Sequence, residues 1–205
     1  MDYSKTADAA LVAKTIEALK THNIQAEVVD TKEAAFTRIK ELIPAGAEVM
    51  TGSSTTLNEI GFTEYLKSGT HGWKNLKDAL AAEKDPVKQG ALRKQSVLAE
   101  YFLGSVHAVT ETGETLTASG SGSQIPAYAF TSQNVIWVVG TQKIVPTMDE
   151  AFKRLKEYTF PLEDARMKAT GAAGSNIGKI LIMNNEASYL GRTIRLIFVN
   201  EKLGF

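Results

Sequence analysis

Five apolar residues in a row, Val135-Ile136-Trp137-Val138-Val139, stand between Asn134 and Gly140 with no polar residue among them. A strand with one face in water alternates apolar and polar side chains. An unbroken run is what a strand covered on both faces shows. Such a strand needs a helical layer above and below it, which points to an α/β fold.

The rest of the chain supplies those layers. Ala9, Val12, Ala13, Ile16 and Leu19 recur at helical spacing and predict a helix over about 7–22. A strand follows at Gln25–Asp30. Next comes a helix carrying Phe36, Ile39, Leu42 and Ile43, stopped by Pro44 and Gly46. Ala47–Thr51 reads as a buried strand that runs straight into Gly52-Ser53-Ser54-Thr55-Thr56 and a further helix. The stretch from Ser68 to Asp85 reads as irregular or short helical structure. Asp85-Pro86 opens a helix expected to reach Phe102, with Gly104 as its stop. Ser105–Thr110 reads as a strand and Glu111-Thr112-Gly113-Glu114 as a hairpin turn. Thr147-Met148-Asp149-Glu150 is a capping box, and Pro161 is expected to separate its helix from the next. Two strands, Lys179–Met183 and Thr193–Asn200, close the chain. The expectation is one mostly parallel sheet with helices on both faces, a single domain over 1–205.

Composition removes several functions. The 205 residues contain 23 Lys+Arg and 23 Asp+Glu, so the formal net charge is zero, without the basic surplus of a nucleic-acid binder. Cysteine is absent, which excludes disulfides, zinc–thiolate sites and iron–sulfur ligation by this chain. His22, His71 and His107 are far apart and form no metal-binding motif, so no metal is expected. Met1-Asp2-Tyr3-Ser4-Lys5 has no basic-then-apolar leader pattern, and no apolar run approaches the ~20 residues that cross a bilayer. The expected location is cytoplasmic, with no membrane contact.

In open α/β sheets ligands sit beyond the carboxyl ends of the strands. Three such junctions here are rich in glycine and hydroxyls. Gly52, Ser53, Ser54 and Thr55 lie between a strand and a helix, where glycine admits a ligand close to the backbone and free N–H groups favour an anion. The same residues also suit simple helix capping, and Thr56-x-x-Glu59 matches a capping box. The second junction runs from Thr110 to Gln124 and includes Thr112, Gly113, Gly120, Ser121, Gly122 and Ser123; it suits either a ligand or a flexible hairpin and loop. Gly120-x-Gly122 begins a dinucleotide fingerprint, but Ile125 holds the third glycine position. In the third, Lys143 follows the most buried strand. It reads either as a cation aimed into a strand-end pocket or as a solvated surface residue. Gly171–Lys179 does not make a P-loop, because Ala173 and Ile180 occupy required glycine and hydroxyl positions.

Four motifs in order resemble a known family: Gly52-Ser53-Ser54-Thr55-Thr56-Leu57-Asn58-Glu59-Ile60-Gly61, Ser105–Glu114, Val138–Val145 with Gly140-Thr141-Gln142-Lys143, and the tail Asn200-Glu201-Lys202-Leu203-Gly204-Phe205. Together they resemble the LUD domain, the lactate-utilisation family of LutC and YkgG-like proteins. The resemblance implies a fold of the NagB/RpiA/CoA-transferase group and binding of a small anion, carboxylate or phosphate, at strand-end loops. It implies an accessory or ligand-binding subunit in the oxidation of L-lactate to pyruvate, beside an iron–sulfur partner protein and without a cofactor of its own. Relatives often carry cysteines after the last helix; Ala169–Lys179 has none, so electron transfer would reside in the partner. His107 stands where a small polar residue is expected. The alternative is an isomerase or acyl/CoA-transferase acting on a phosphorylated sugar or thioester, with Glu59 and Glu111 as the catalytic carboxylates. A homodimer is the expected assembly.

Overall fold

A computed structural model describes all residues, 1–205. In chain order its elements are α1 (Ala9–Thr21), β1 (Ile24–Val29), α2 (Lys32–Leu42), β2 (Glu48–Thr51), α3 (Thr55–Glu59), α4 (Phe62–Ser68), β3 (Lys74–Asn75), α5 (Leu76–Ala82) and α6 (Pro86–Gln95). Then follow β4 (Tyr101–Gly104), β5 (Ala108–Thr110), β6 (Thr115–Ser119), β7 (Asn134–Gly140), β8 (Ile144–Val145), α7 (Met148–Arg154), α8 (Phe160–Ala169), β9 (Lys179–Met183) and β10 (Thr193–Val199).

Six strands form one sheet in the order β1-β10-β7-β4-β2-β3, and every pairing in it is parallel. β7 lies inside it, with Trp137 opposite Leu196 on one side and Gly104 on the other. Its side chains alternate between two cores. Val135, Trp137 and Val139 pack with Val12 and Leu19 of α1, while Ile136 and Val138 pack with Ala35 and Ile39 of α2 and Leu57 of α3. The unbroken apolar run therefore serves two helical layers.

The expected mostly parallel sheet with helices on both faces is present, and a second sheet stands beside it. Four strands form a second sheet, β8-β5-β6-β9, antiparallel at β5–β6 and β6–β9 and parallel at β5–β8. Val109 and Ile144 face the core beneath α1, whereas Ala108 and Val145 face a third core closed by Ala151 of α7 and Leu155. The small sheet is thus wedged between the large sheet and α7.

Three local expectations change. The helix opened by Pro86 ends at Gln95, and Tyr101–Gly104 is a fully buried strand between β2 and β7. Phe102 and its neighbours fit a helical period, but pairing with two distant strands decides their state, which no local pattern records. Ser105–His107 is not strand but the link from the large sheet to the small one. Pro161 does not separate two helices: α7 continues through a π turn at Leu155–Thr159 into α8. Proline has no N–H to give the preceding turn, and a widened turn accommodates that loss. No helix is long and apolar enough to cross a membrane.

Candidate functional site

The carboxyl ends of β2, β4 and β7 open on a cleft of about 510 Å3. Its floor is organised by Lys143. After Gly140 a short 3-10 turn, Thr141–Lys143, carries the chain from β7 towards β8 and turns the lysine inward. Only 3% of Lys143 is exposed. Its Nζ donates to Thr56 Oγ1 at 3.1 Å, Ser105 Oγ at 3.1 Å and the Val106 carbonyl at 3.3 Å. All three ammonium hydrogens therefore have acceptors. The two hydroxyls are themselves linked, Thr56 Oγ1 donating to Ser105 Oγ at 3.5 Å and Ser105 Oγ to the Val106 carbonyl at 3.3 Å, and both residues line the cleft. Burial, reinforced by the Arg154 guanidinium and opposed by Glu59, holds the Lys143 ammonium down to about 7.

The terminal segment forms part of this floor. Gln142 Nε2 donates to the Leu203 carbonyl at 2.8 Å, and the Gly204 N–H donates to Glu59 Oε2 at 2.6 Å. Gly204 has φ +63°, and a Cβ there would lie 2.4 Å from Thr56 Oγ1 and 3.2 Å from Lys143 Nζ, so only glycine fits against the lysine. Arg154, fully buried, donates from Nη1 to the carbonyls of His107 and Phe205 and to Thr159 Oγ1. Its guanidinium also sits 5.3 Å from the Tyr158 ring centroid and 5.9 Å from that of Tyr3. Two of its nitrogens, Nε and Nη2, have no hydrogen-bond partner, and its charge disfavours a proton on Lys143 and on His107.

His107 lines the cleft with a fixed tautomer. Its Nδ1 accepts the Ala118 N–H at 3.1 Å, so the neutral ring carries its proton on Nε2. Burial first, then Lys143 and Arg154, push its pKa down to about 3. The imidazole is a neutral donor across the physiological range.

The residues singled out from sequence divide into two groups. Gly52, Ser53, Ser54 and Thr55 line the cleft on one side, and Gly120, Ser121 and Ser123 on another, with Lys143 beneath. Ser54 also caps α3, its Oγ accepting the Leu57 N–H at 3.2 Å. Gly122, at φ +80°, shapes the turn between Ser121 and Ser123 but is not part of the lining. Glu59 does not act in a capping box; it is not part of the cleft lining, and its carboxylate accepts from the Gly204 N–H of the tail. Glu111 pairs with Lys14 at 2.7 Å, and Thr112 donates to Glu114 at 2.6 Å in the hairpin turn. Gly113 lies against α1, where a Cβ would come within 2.8 Å of His22 Cδ2 and 2.9 Å of the Ala18 carbonyl carbon. The hairpin register explains this. Ala108 pairs with Leu116, so the cleft end of the β5–β6 pair holds His107 and Ala118, and the 111–114 turn is at the far end.

Sequence reasoning missed Lys67, Lys77 and Arg166, which bring cations to the cleft wall, and Arg154 beneath the floor. Arg166 binds Glu163, the one carboxylate residue of the lining, through two hydrogen bonds of 2.7 and 2.8 Å. Glycine spacing carries no signal for charges contributed by helix faces. No three His, Asp or Glu side chains gather as a metal-binding group.

A doubly covered parallel sheet, a wedged second sheet and a hydroxyl-lined cationic cleft at the strand ends define an α/β protein of the strand-end-cleft class. The LUD domain family model matches residues 12–188, and the chain belongs to that family, which is associated with lactate utilisation. A DUF162 family protein from Deinococcus radiodurans, known from a crystal structure, shares the fold with TM-score 0.54 at 13% identity, over 95% of this chain and 98% of that one. No curated protein matches this chain.

Proposed function

We propose that this chain is a ligand-binding subunit of a lactate-utilisation system, holding a small organic anion, carboxylate or phosphate, in the strand-end cleft. It works beside an iron–sulfur protein, since a chain without cysteine leaves electron transfer to a partner. The observation that carries the reading is the buried Lys143, bonded to Thr56 and Ser105 at the cleft floor. It holds the two hydroxyl oxygens in place and adds positive field, as a carboxylate or phosphate requires. The reading gives no catalytic task to Glu59 or Glu111. The isomerase or transferase alternative needs a carboxylate within hydrogen-bond reach of substrate, about 2.6–3.2 Å. Glu163, the carboxylate in the lining, is already engaged by Arg166.

A thermal-shift screen with L-lactate, pyruvate, ribose 5-phosphate and coenzyme A tests the proposal. A ligand at 100 times its Kd stabilises by about 2.7 kcal/mol, a rise of roughly 5–10 °C in a chain of this size. The double variant T56V/S105A is expected to lose that rise. A flat screen on the wild-type protein, or an undiminished shift in the double variant, contradicts the assignment of the floor as an anion site. Co-purification of an iron–sulfur protein with the tagged chain checks the partnership.

A further inference from the structure

A second cavity of about 570 Å3 adjoins the cleft, and the two share Gly52, Ser53, Lys67, Lys77 and Gln124 among their walls. Gln124 packs against Gly52 on the boundary between them, where a Cβ on Gly52 would lie 2.5 Å from Gln124 Oε1. The second cavity differs from the first in chemistry. Its floor is apolar, with Met50, Leu66, Leu80 and Phe102, and its rim carries Lys67, Lys77 and Arg93. None of these three cations takes part in any of the chain's ion pairs. Lys77 is half-buried, and the one hydrogen bond of its ammonium is to the Gly52 carbonyl at 3.3 Å. Lys67 is close enough to lower its pKa further after burial has done so. The carboxylate in this cavity, Asp78, accepts from Asn75 at 2.8 Å and leaves the cations unpaired.

Uncompensated like charges that converge on a concave surface repel one another and gain from a bound anion. An apolar floor gains from an apolar group. A three-carbon acid occupies the first cavity alone and leaves both gains unused. Building on the anion site proposed above, we infer that the ligand is an extended organic phosphate. Its small head lies on the Lys143 floor, its apolar body crosses the boundary marked by Gly52 and Gln124 onto Met50, Leu66, Leu80 and Phe102, and a phosphate meets Lys67, Lys77 and Arg93.

Isothermal titration with three probes tests this: inorganic phosphate, ADP and coenzyme A, the last two being organic phosphates with different apolar bodies. In the wild-type protein at least one organic phosphate is expected to bind ten-fold or more tightly than inorganic phosphate, with phosphate competing for the same site. K77M/R93M is expected to cut that ratio to near one. K20M/K32M, which removes the same charge from the surface away from both cavities, is expected to preserve the ratio. Thermal melts of both double variants check that they fold. If ADP and coenzyme A bind no more tightly than phosphate, or the ratio survives K77M/R93M, the second subsite is overturned while the first stands. If phosphate and both organic probes all fail to bind the wild-type protein, the anion site falls and this inference with it.

Discussion

Gly140→Ala is expected to destabilise the protein on the order of 3 kcal/mol, the upper part of the range for overpacking a close-packed site. Gly140 ends β7 beneath the terminal segment. A Cβ there would sit 2.6 Å from the Glu201 carbonyl oxygen, 2.7 Å from the Leu203 N and 2.1 Å from Gln142 Oε1. The first two are backbone atoms and cannot rotate away. Gln142 is itself buried and holds the tail through the Leu203 carbonyl. Either β7 shifts or the tail lifts, and if the tail lifts Gly204 leaves Lys143. Urea unfolding reads the stability, and amide exchange across 201–205 reads the tail. A variant with wild-type midpoint and protection would show that the packing over β7 is looser than described.

The second large effect is a pH dependence. The Lys143 ammonium is held down to about 7 in the folded protein, against 10.5 for an ordinary lysine. Below pH 7 both folded and unfolded chains carry the proton, and the folded state bears the full cost of the buried charge. Between about 7 and 10.5 the unfolded chain binds more protons at this residue than the folded one, so stability rises with pH across that window. The slope approaches about 1.4 kcal/mol per pH unit, the value for one proton. In Lys143→Met the contribution disappears. The difference in unfolding free energy between wild type and variant should climb between pH 7 and 9.5; a constant difference would show that the buried amine titrates like a free one. Binding runs the other way: affinity for a carboxylate such as L-lactate should fall as pH rises through 7 in the wild type and stay level in the variant. His107, held neutral, adds nothing to either curve.

Much of the core is legible in the sequence. The apolar run at 135–139 announced its two-sided burial, and the Thr147–Glu150 cap is made, with Thr147 Oγ1 accepting the Glu150 N–H at 3.2 Å. The Gly/Ser/Thr segments at 52–55 and 120–123 were recognisable because chain order alone places such loops beyond strand ends. What escaped was set by partners distant in sequence. Tyr101–Gly104 is a strand because β2 and β7 flank it. Lys143 is buried because the tail folds over it, and nothing in its neighbours announces that cover. Arg154 stands three residues from buried Ala151 and shares its face, but a lone charged side chain gives no sequence signal for burial beneath the site. The 111–114 turn looked equivalent to the 120–123 loop, and only the hairpin register separates them.

Three parallel strands contribute to the Lys143 hydrogen-bond set, through Thr56 after β2, Ser105 after β4 and Lys143 after β7. A floor braced at three points behaves as bedrock: it has little freedom to adjust to different guests. On the proposed function, discrimination among ligands would rest with the segments 119–124 and 175–177, which contribute to the cleft lining but not to the Lys143 hydrogen-bond set. Chimeras that exchange those two segments between members of the family should carry ligand preference with them and keep the melting behaviour of the recipient.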